Sequence, residues 1–195
     1  RRRLVLLPLQ LAEAFGDLAG GRKSGFHRRA VVVERGLNVV AVDLNDERGA
    51  AMEAKYPGRL RYVKADVSDE AQMQAAVAAA EAFGNFRALV HCAGIGGPLR
   101  LIEKDGSAGS LEKYTNIIRV NQIGTFNTLR LAAASMAKNE PIDGERGACV
   151  LTASVAGYEG QIGQLPYASS KAGVIGMTIV AARDLATKFI RVCTI

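Results

Sequence analysis

Leu37-Asn38-Val39-Val40-Ala41-Val42-Asp43 decides how the chain is read: it is a short apolar run without helical period, closed by a carboxylate. Side chains of a strand point alternately to opposite faces, so a run apolar throughout is buried on both faces. That is the habit of parallel sheets covered by helices. Working outward, Asp46 to Tyr56 reads as a helix stopped by Pro57-Gly58, and Leu60 to Ala65 as the next strand. Within Asp66-Val67-Ser68-Asp69, Ser68 is expected to cap an Ala-rich helix running to about Phe83. Phe86 to Cys92 is a further strand, followed by the loop Ala93-Gly94-Ile95-Gly96-Gly97-Pro98.

A long helix is predicted from about Leu111 to Lys138, ended by Asn139-Glu140-Pro141-Ile142-Asp143-Gly144. Ala148 to Ala153 reads as a strand. Pro166 to about Lys188 reads as a helix, with proline tolerated in its first turn, and Ile190 to Ile195 as another strand. Strands alternating with helices, joined by right-handed crossovers, predict an α/β fold with a doubly wound parallel sheet. Residues 1–195 are expected to form a single domain, since no internal repeat or linker divides them. The first strand has two candidate positions, Arg3 to Leu7 and a stretch near Phe15 to Ala19. Ligands of such folds bind beyond the C-terminal strand ends, and Asp43, Asp66, Cys92 to Gly94 and Ser154 all fall there.

A hydrophobic content of 49% with 23% charged residues describes a globular chain, neither disordered nor fibrous. No apolar run reaches the length needed to span a bilayer, so no membrane partner is expected. The net charge is +6, but residues 1–35 carry +5 of it. Basicity confined to one segment is poor support for a nucleic-acid partner, which needs a basic face on the folded domain. Cys92, Cys149 and Cys193 are widely spaced and odd in number, and with His27 and His91 they give no metal-ligand spacing. Reduced thiols suggest a cytoplasmic setting, or the mitochondrial matrix in a eukaryote.

The chemistry concentrates in Ser154-x12-Tyr167-x3-Lys171. Tyr167 and Lys171 are four apart on a predicted helix and so share a face. A free tyrosine titrates near about 10, too high for a base at neutral pH, and a neighbouring ammonium lowers that value. The tuned phenol can then take a proton from an alcohol or return it to a carbonyl. Ser154, at a strand end, can hydrogen-bond the reacting oxygen. Asn121, inside the long helix, can hold a water joining Lys171 to solvent. A Tyr-x3-Lys pair alone is ordinarily a solvated helix face. The strand-end serine and the dinucleotide-type sheet upstream give the pair its meaning.

Ser154, Tyr167-Ala168-Ser169-Ser170-Lys171, Asn121, Cys92-Ala93-Gly94 and Asp66-Val67 together resemble the short-chain dehydrogenase/reductase family from about Gly36 to Ile195. The resemblance implies a Rossmann-like fold and hydride exchange with NAD or NADP, with Ser154, Tyr167, Lys171 and Asn121 catalytic. His91-Cys92-Ala93-Gly94-Ile95, the insert before Leu111, Asn139-Glu140-Pro141 and Glu159-Gly160-Gln161 are similar to the family's type-2 3-hydroxyacyl-CoA dehydrogenase branch. That implies an acyl-CoA or related alcohol substrate, with Ser154, Tyr167 and Gln161 contacting it, and a homo-oligomer built on the two long helices. As a plain sequence feature, Gln161 is equally a solvated loop residue.

On the cofactor side, Asp43 can accept both ribose hydroxyls of NAD and would repel the extra phosphate of NADP, so NAD is expected. Asp66 and Val67 resemble the family's adenine-contacting pair; the alternative reading of Asp66 is that it only helps cap the next helix. Cys92, Ala93 and Gly94 would pass close to the cofactor, as small residues permit. The family's glycine-rich phosphate loop finds only a partial match at Gly21 and Gly25, with His27 where a third glycine belongs. Residues 1–30 read either as divergent sequence or as foreign sequence joined to the domain. With Ile195 falling where a further loop is expected, the fold is predicted to be incomplete at both ends, and the alternative to an active enzyme is a catalytically inert truncated or misread fragment of one, acting if at all through association.

Overall fold

The computed structural model describes residues 3–8 and 36–195. Gly21 and Gly25, and the alternative first strand near Phe15, lie outside these described residues. The first strand, β1, is Arg3–Pro8. It is followed by β2 (Asn38–Asp43), α1 (Asp46–Lys55), β3 (Leu60–Lys64), α2 (Glu70–Phe83) and β4 (Asn85–His91). Next come α3 (Leu111–Ile118), α4 (Gly124–Met136), β5 (Gly147–Leu151), α5 (Leu165–Ala186) and β6 (Ile190–Thr194). The six strands form one parallel sheet in the order β3-β2-β1-β4-β5-β6. The order reverses between β1 and β4, and the crevice at such a reversal is where dinucleotides bind in this topology.

Helices lie on both faces, so the sheet is doubly wound. Met52 of α1 packs with Val39, Ala41 and Leu60 on one face. On the other, Met73 and Ala80 of α2, Leu129 and Met136 of α4 and Val174 of α5 meet Val40, Phe86, Leu89, Cys149 and Leu151. Phe86 is 2% exposed; truncating so fully buried a phenylalanine to alanine ordinarily costs about 3–5 kcal/mol.

Two local expectations are corrected. The cap of α2 is Asp69, whose carboxylate accepts from Gln72 N at 2.9 Å. Ser68 is drawn away from that task because its amide and hydroxyl both donate to Asp66 Oδ1, at 2.8 and 2.7 Å. The long helix is also interrupted: Arg119–Ile123 forms a π turn between α3 and α4. Directly after it, Gly124 packs against the loop that follows β3. A Cβ there would stand 2.6 Å from Val67 Cγ2, so only glycine admits this approach without a shift. No helix among the described residues is long and apolar enough to cross a membrane.

Candidate active site

Two cavities open along the C-terminal edge of the sheet. The first, about 310 Å³, lies over the ends of β2, β3 and β4, where Asp43, Asp66, Val67, Ala93 and Gly94 line it with Asn116 and Arg119. The second, a cleft of about 980 Å³, is lined by Ser154, Gln161, Gln164, Tyr167, Gly96 and Pro98. Gly94 of the first cavity stands close to Lys171 and Asn121: a Cβ on it would sit 3.6 Å from Lys171 Nζ and 3.3 Å from Asn121 Oδ1. The structure therefore gathers Asp43, Asp66, Val67, Ala93 and Gly94 at one cavity, and Ser154, Tyr167 and Gln161 at the other. Gln161 is exposed on its wall. Cys92 lines neither cavity, because its thiol turns to Thr152 Oγ1 at 2.6 Å.

Each polar side chain is set by its element. Ser154 follows β5 in extended conformation (φ −170°) and caps a short 3-10 turn, accepting from Ala156 N at 3.2 Å. Tyr167 and Lys171 stand in the first two turns of α5. The Lys171 ammonium lies 5.6 Å from the Tyr167 ring centroid and donates to Thr152 O at 2.7 Å. Lys171 is only 4% exposed, and that burial lowers its pKa while the Cys92 sulfur opposes the shift. Burial pushes the Cys92 thiol up to about 11, against the pull of Thr152 and Lys171.

Asn121 is fully buried in the π turn. Its amide donates to Ile95 O (2.9 Å) and Ser170 Oγ (3.0 Å), and its Oδ1 accepts from Ile95 N (2.8 Å). The side chain thus clamps the loop after β4 onto α5. The Asn121 backbone carbonyl accepts from Thr125 Oγ1 at 2.6 Å.

On the other side, Asp43 Oδ1 accepts from Asn45 N at 3.0 Å. Asp66 holds Ser68 on one oxygen and Arg119 on the other, at 3.2 Å. Burial pushes the Asp66 pKa up, but the Ser68 and Arg119 hydrogen bonds outweigh it and the carboxyl titrates below its ordinary value. Sequence reading missed Arg119, Asn116, Thr152 and Ser170. Arg119 is 53 residues from Asp66, and no local pattern announces such a pairing.

The short chain dehydrogenase family model matches residues 21–195. The chain belongs to the short-chain dehydrogenase/reductase family, a family of nicotinamide-dependent oxidoreductases. Within it, the chain is 39% identical over 184 residues to the Drosophila melanogaster 3-hydroxyacyl-CoA dehydrogenase type-2, covering 92% of this chain and 72% of that one. It is 42% identical over 167 residues to the Homo sapiens protein of the same name, covering 84% of this chain and 64% of that one. The crystal structure of 3-hydroxyacyl-CoA dehydrogenase type-2 from Mycobacterium avium superposes with a TM-score of 0.88 at 41% identity, covering 98% of this chain and 72% of that one. The chain thus spans just under two thirds of the human relative.

Proposed function

We propose that the chain carries the catalytic centre of an NAD-dependent dehydrogenase that interconverts a secondary alcohol and a ketone, with a 3-hydroxyacyl-CoA as substrate. The observation that carries this reading is the placement of Ser154 and Tyr167 on one cleft, with buried Lys171 between it and the cavity holding Asp43 and Asp66.

The strand-end cavity suits a dinucleotide. Asp43 offers carboxylate oxygen to ribose hydroxyls and disfavours a phosphate there, which selects NAD over NADP. Asp66 and Val67 would hold the adenine, and Ala93 and Gly94 leave room for the ribose and nicotinamide. When bound, NAD supplies the hydride acceptor. Tyr167 takes the hydroxyl proton of the substrate, Ser154 hydrogen-bonds the same oxygen, and Gln161 orients it from the cleft wall. Lys171 favours the phenolate through its charge and holds a ribose hydroxyl. Asn121 keeps the loop after β4 and α5 in register. The three cysteines are free, in keeping with a reducing compartment such as the cytoplasm or mitochondrial matrix. Ile123, Phe126, Ile179 and Val180 are exposed on and beside α4 and α5, where a second copy would pack in a homo-oligomer.

The test is NADH formation at 340 nm from a short-chain 3-hydroxyacyl-CoA. Tyr167→Phe is expected to lower kcat by about 10²–10⁴-fold, the usual contribution of a positioned acid-base group. Wild-type turnover by that variant would refute the assignment.

A further inference from the structure

Thr152 is the last residue but one before Ser154, beyond the end of β5. Its carbonyl accepts from the Lys171 ammonium at 2.7 Å, and its hydroxyl meets Cys92 Sγ at 2.6 Å. Cys92 stands at the same level beyond β4. The ladder between the two strands pairs Val90 with Val150 and His91 with Leu151, which makes Cys92 and Thr152 the next pair in sequence. The thiol and hydroxyl therefore tie two neighbouring strand ends together just past the last paired residues. Neither residue lines either of the two cavities described above.

A buried ammonium needs a partner to stay in one place, because an unpaired charge in a dry site is costly. Lys171 has three N–H donors. One is spent on Thr152 O, and this bond sets the direction of the other two. Small Gly94 leaves the space on the cavity side of the ammonium open. The Thr152–Ala153 peptide is held on its other edge by Ala153 N, which donates to Ile195 O at 2.8 Å, and the Cys92–Thr152 contact adds a second hold through the threonine side chain.

We propose that Thr152, fastened by Cys92, is the positioning residue that fixes the Lys171 ammonium between Tyr167 and the cofactor ribose. The inference rests on the dehydrogenase reading of the site.

The experiment compares wild type with Thr152→Val, which removes the hydroxyl and keeps the branched shape, with Cys92→Ala, and with the double variant. Either single change is expected to weaken NADH binding, followed by its fluorescence, by about 3–10-fold, the worth of one hydrogen bond. It should also move the acid limb of the kcat–pH profile, because the positive charge beside Tyr167 is displaced. The double variant should be no worse than the poorer single one, since both act through one contact. Cys92→Ser should restore part of the loss, because a hydroxyl can replace the thiol as partner. An unmoved acid limb, or single effects that simply multiply, would overturn the proposal.

A wild-type protein that neither binds NADH nor turns over would sink the dehydrogenase reading instead. The contact itself is then judged by urea unfolding of the same four proteins. A coupling of about threefold or more in the unfolding equilibrium supports it, and strict additivity overturns it.

Discussion

Lowering the pH should destabilise this fold through His91, and the size of the effect follows from where that side chain lies. His91 closes β4, is 3% exposed, and its Nε2 is buried with no hydrogen-bond partner among the described residues. Burial, reinforced by the Lys171 ammonium, pushes its pKa down from 6.5 to about 3. Between those two values the unfolded chain binds a proton that the folded chain refuses, so stability is lost as pH falls below 6.5. Each pH unit in that window is worth about 1.4 kcal/mol. At pH 5 the loss from this one residue is therefore about 2 kcal/mol, or about 4–8 °C in Tm for a domain of this size. The assay is urea unfolding followed by circular dichroism at pH 7.5 and pH 5, for wild type and His91→Leu. Leucine fills a similar volume and cannot titrate. Carboxylates elsewhere contribute equally to both proteins and cancel in the difference. His91→Leu should lose about 2 kcal/mol less than wild type over this interval. Equal losses would show that His91 is protonated in the folded state, and the buried, neutral assignment would be wrong.

Arg119→Ala should raise the Asp66 pKa towards its ordinary value, measurable by NMR titration of the carboxyl group, because one of the hydrogen bonds that outweigh burial is removed. An unchanged titration would mean that Ser68 alone sets Asp66. Asp43→Ala should narrow the preference for NAD over NADP by about tenfold or more in kcat/KM, since the repelling carboxylate is gone. A ratio that does not move would place the ribose elsewhere. Gly124→Ala should cost about 1–3 kcal/mol in thermal unfolding, because the new methyl meets Val67 Cγ2 at 2.6 Å. Adding Val67→Ala should recover part of that loss, and no recovery would show that the clash is with backbone.

What the sequence disclosed was whatever depends on local pattern. The run from Leu37 to Asp43 announced a buried parallel strand, and β2 lies there with Val39 to Val42 buried. The rhythm of strand and helix carried the doubly wound topology, and the strand-end rule put Asp43, Asp66, Ala93 and Gly94 at one cavity. The losses occurred where a distant residue decides the outcome. Ser68 and Asp69 are adjacent and both able caps; Asp66 settles the choice by capturing Ser68, and its own charge is answered by Arg119 from another helix. Arg119-Val120-Asn121-Gln122-Ile123 has nothing in its composition to distinguish a π turn from an ordinary one. Its geometry is fixed by three-dimensional demands, with Asn121 drawn to Ile95 and Ser170 while Gly124 closes on Val67. Likewise, no spacing rule pairs Cys92 with Thr152, because strand adjacency appears only after the sheet is assembled.

The π turn also ties together elements that line the two cavities. Arg119 reaches Asp66 on the side of the strand-end cavity, whereas Asn121, two residues on, reaches Ile95 and Ser170 on the side of α5. Residues two apart on a helix point in nearly opposite directions, which lets one element serve both sides. Thr125 bonds back to the Asn121 carbonyl while the Asn121 amide stays clamped. A ligand that displaces Arg119 from Asp66 would therefore act on the same turn that fixes the loop carrying Gly94. Gly94 lines the strand-end cavity, and a Cβ on it would stand 3.3 Å from Asn121 Oδ1 and 3.6 Å from Lys171 Nζ, so the proposed binding and proton-transfer sites would share one support.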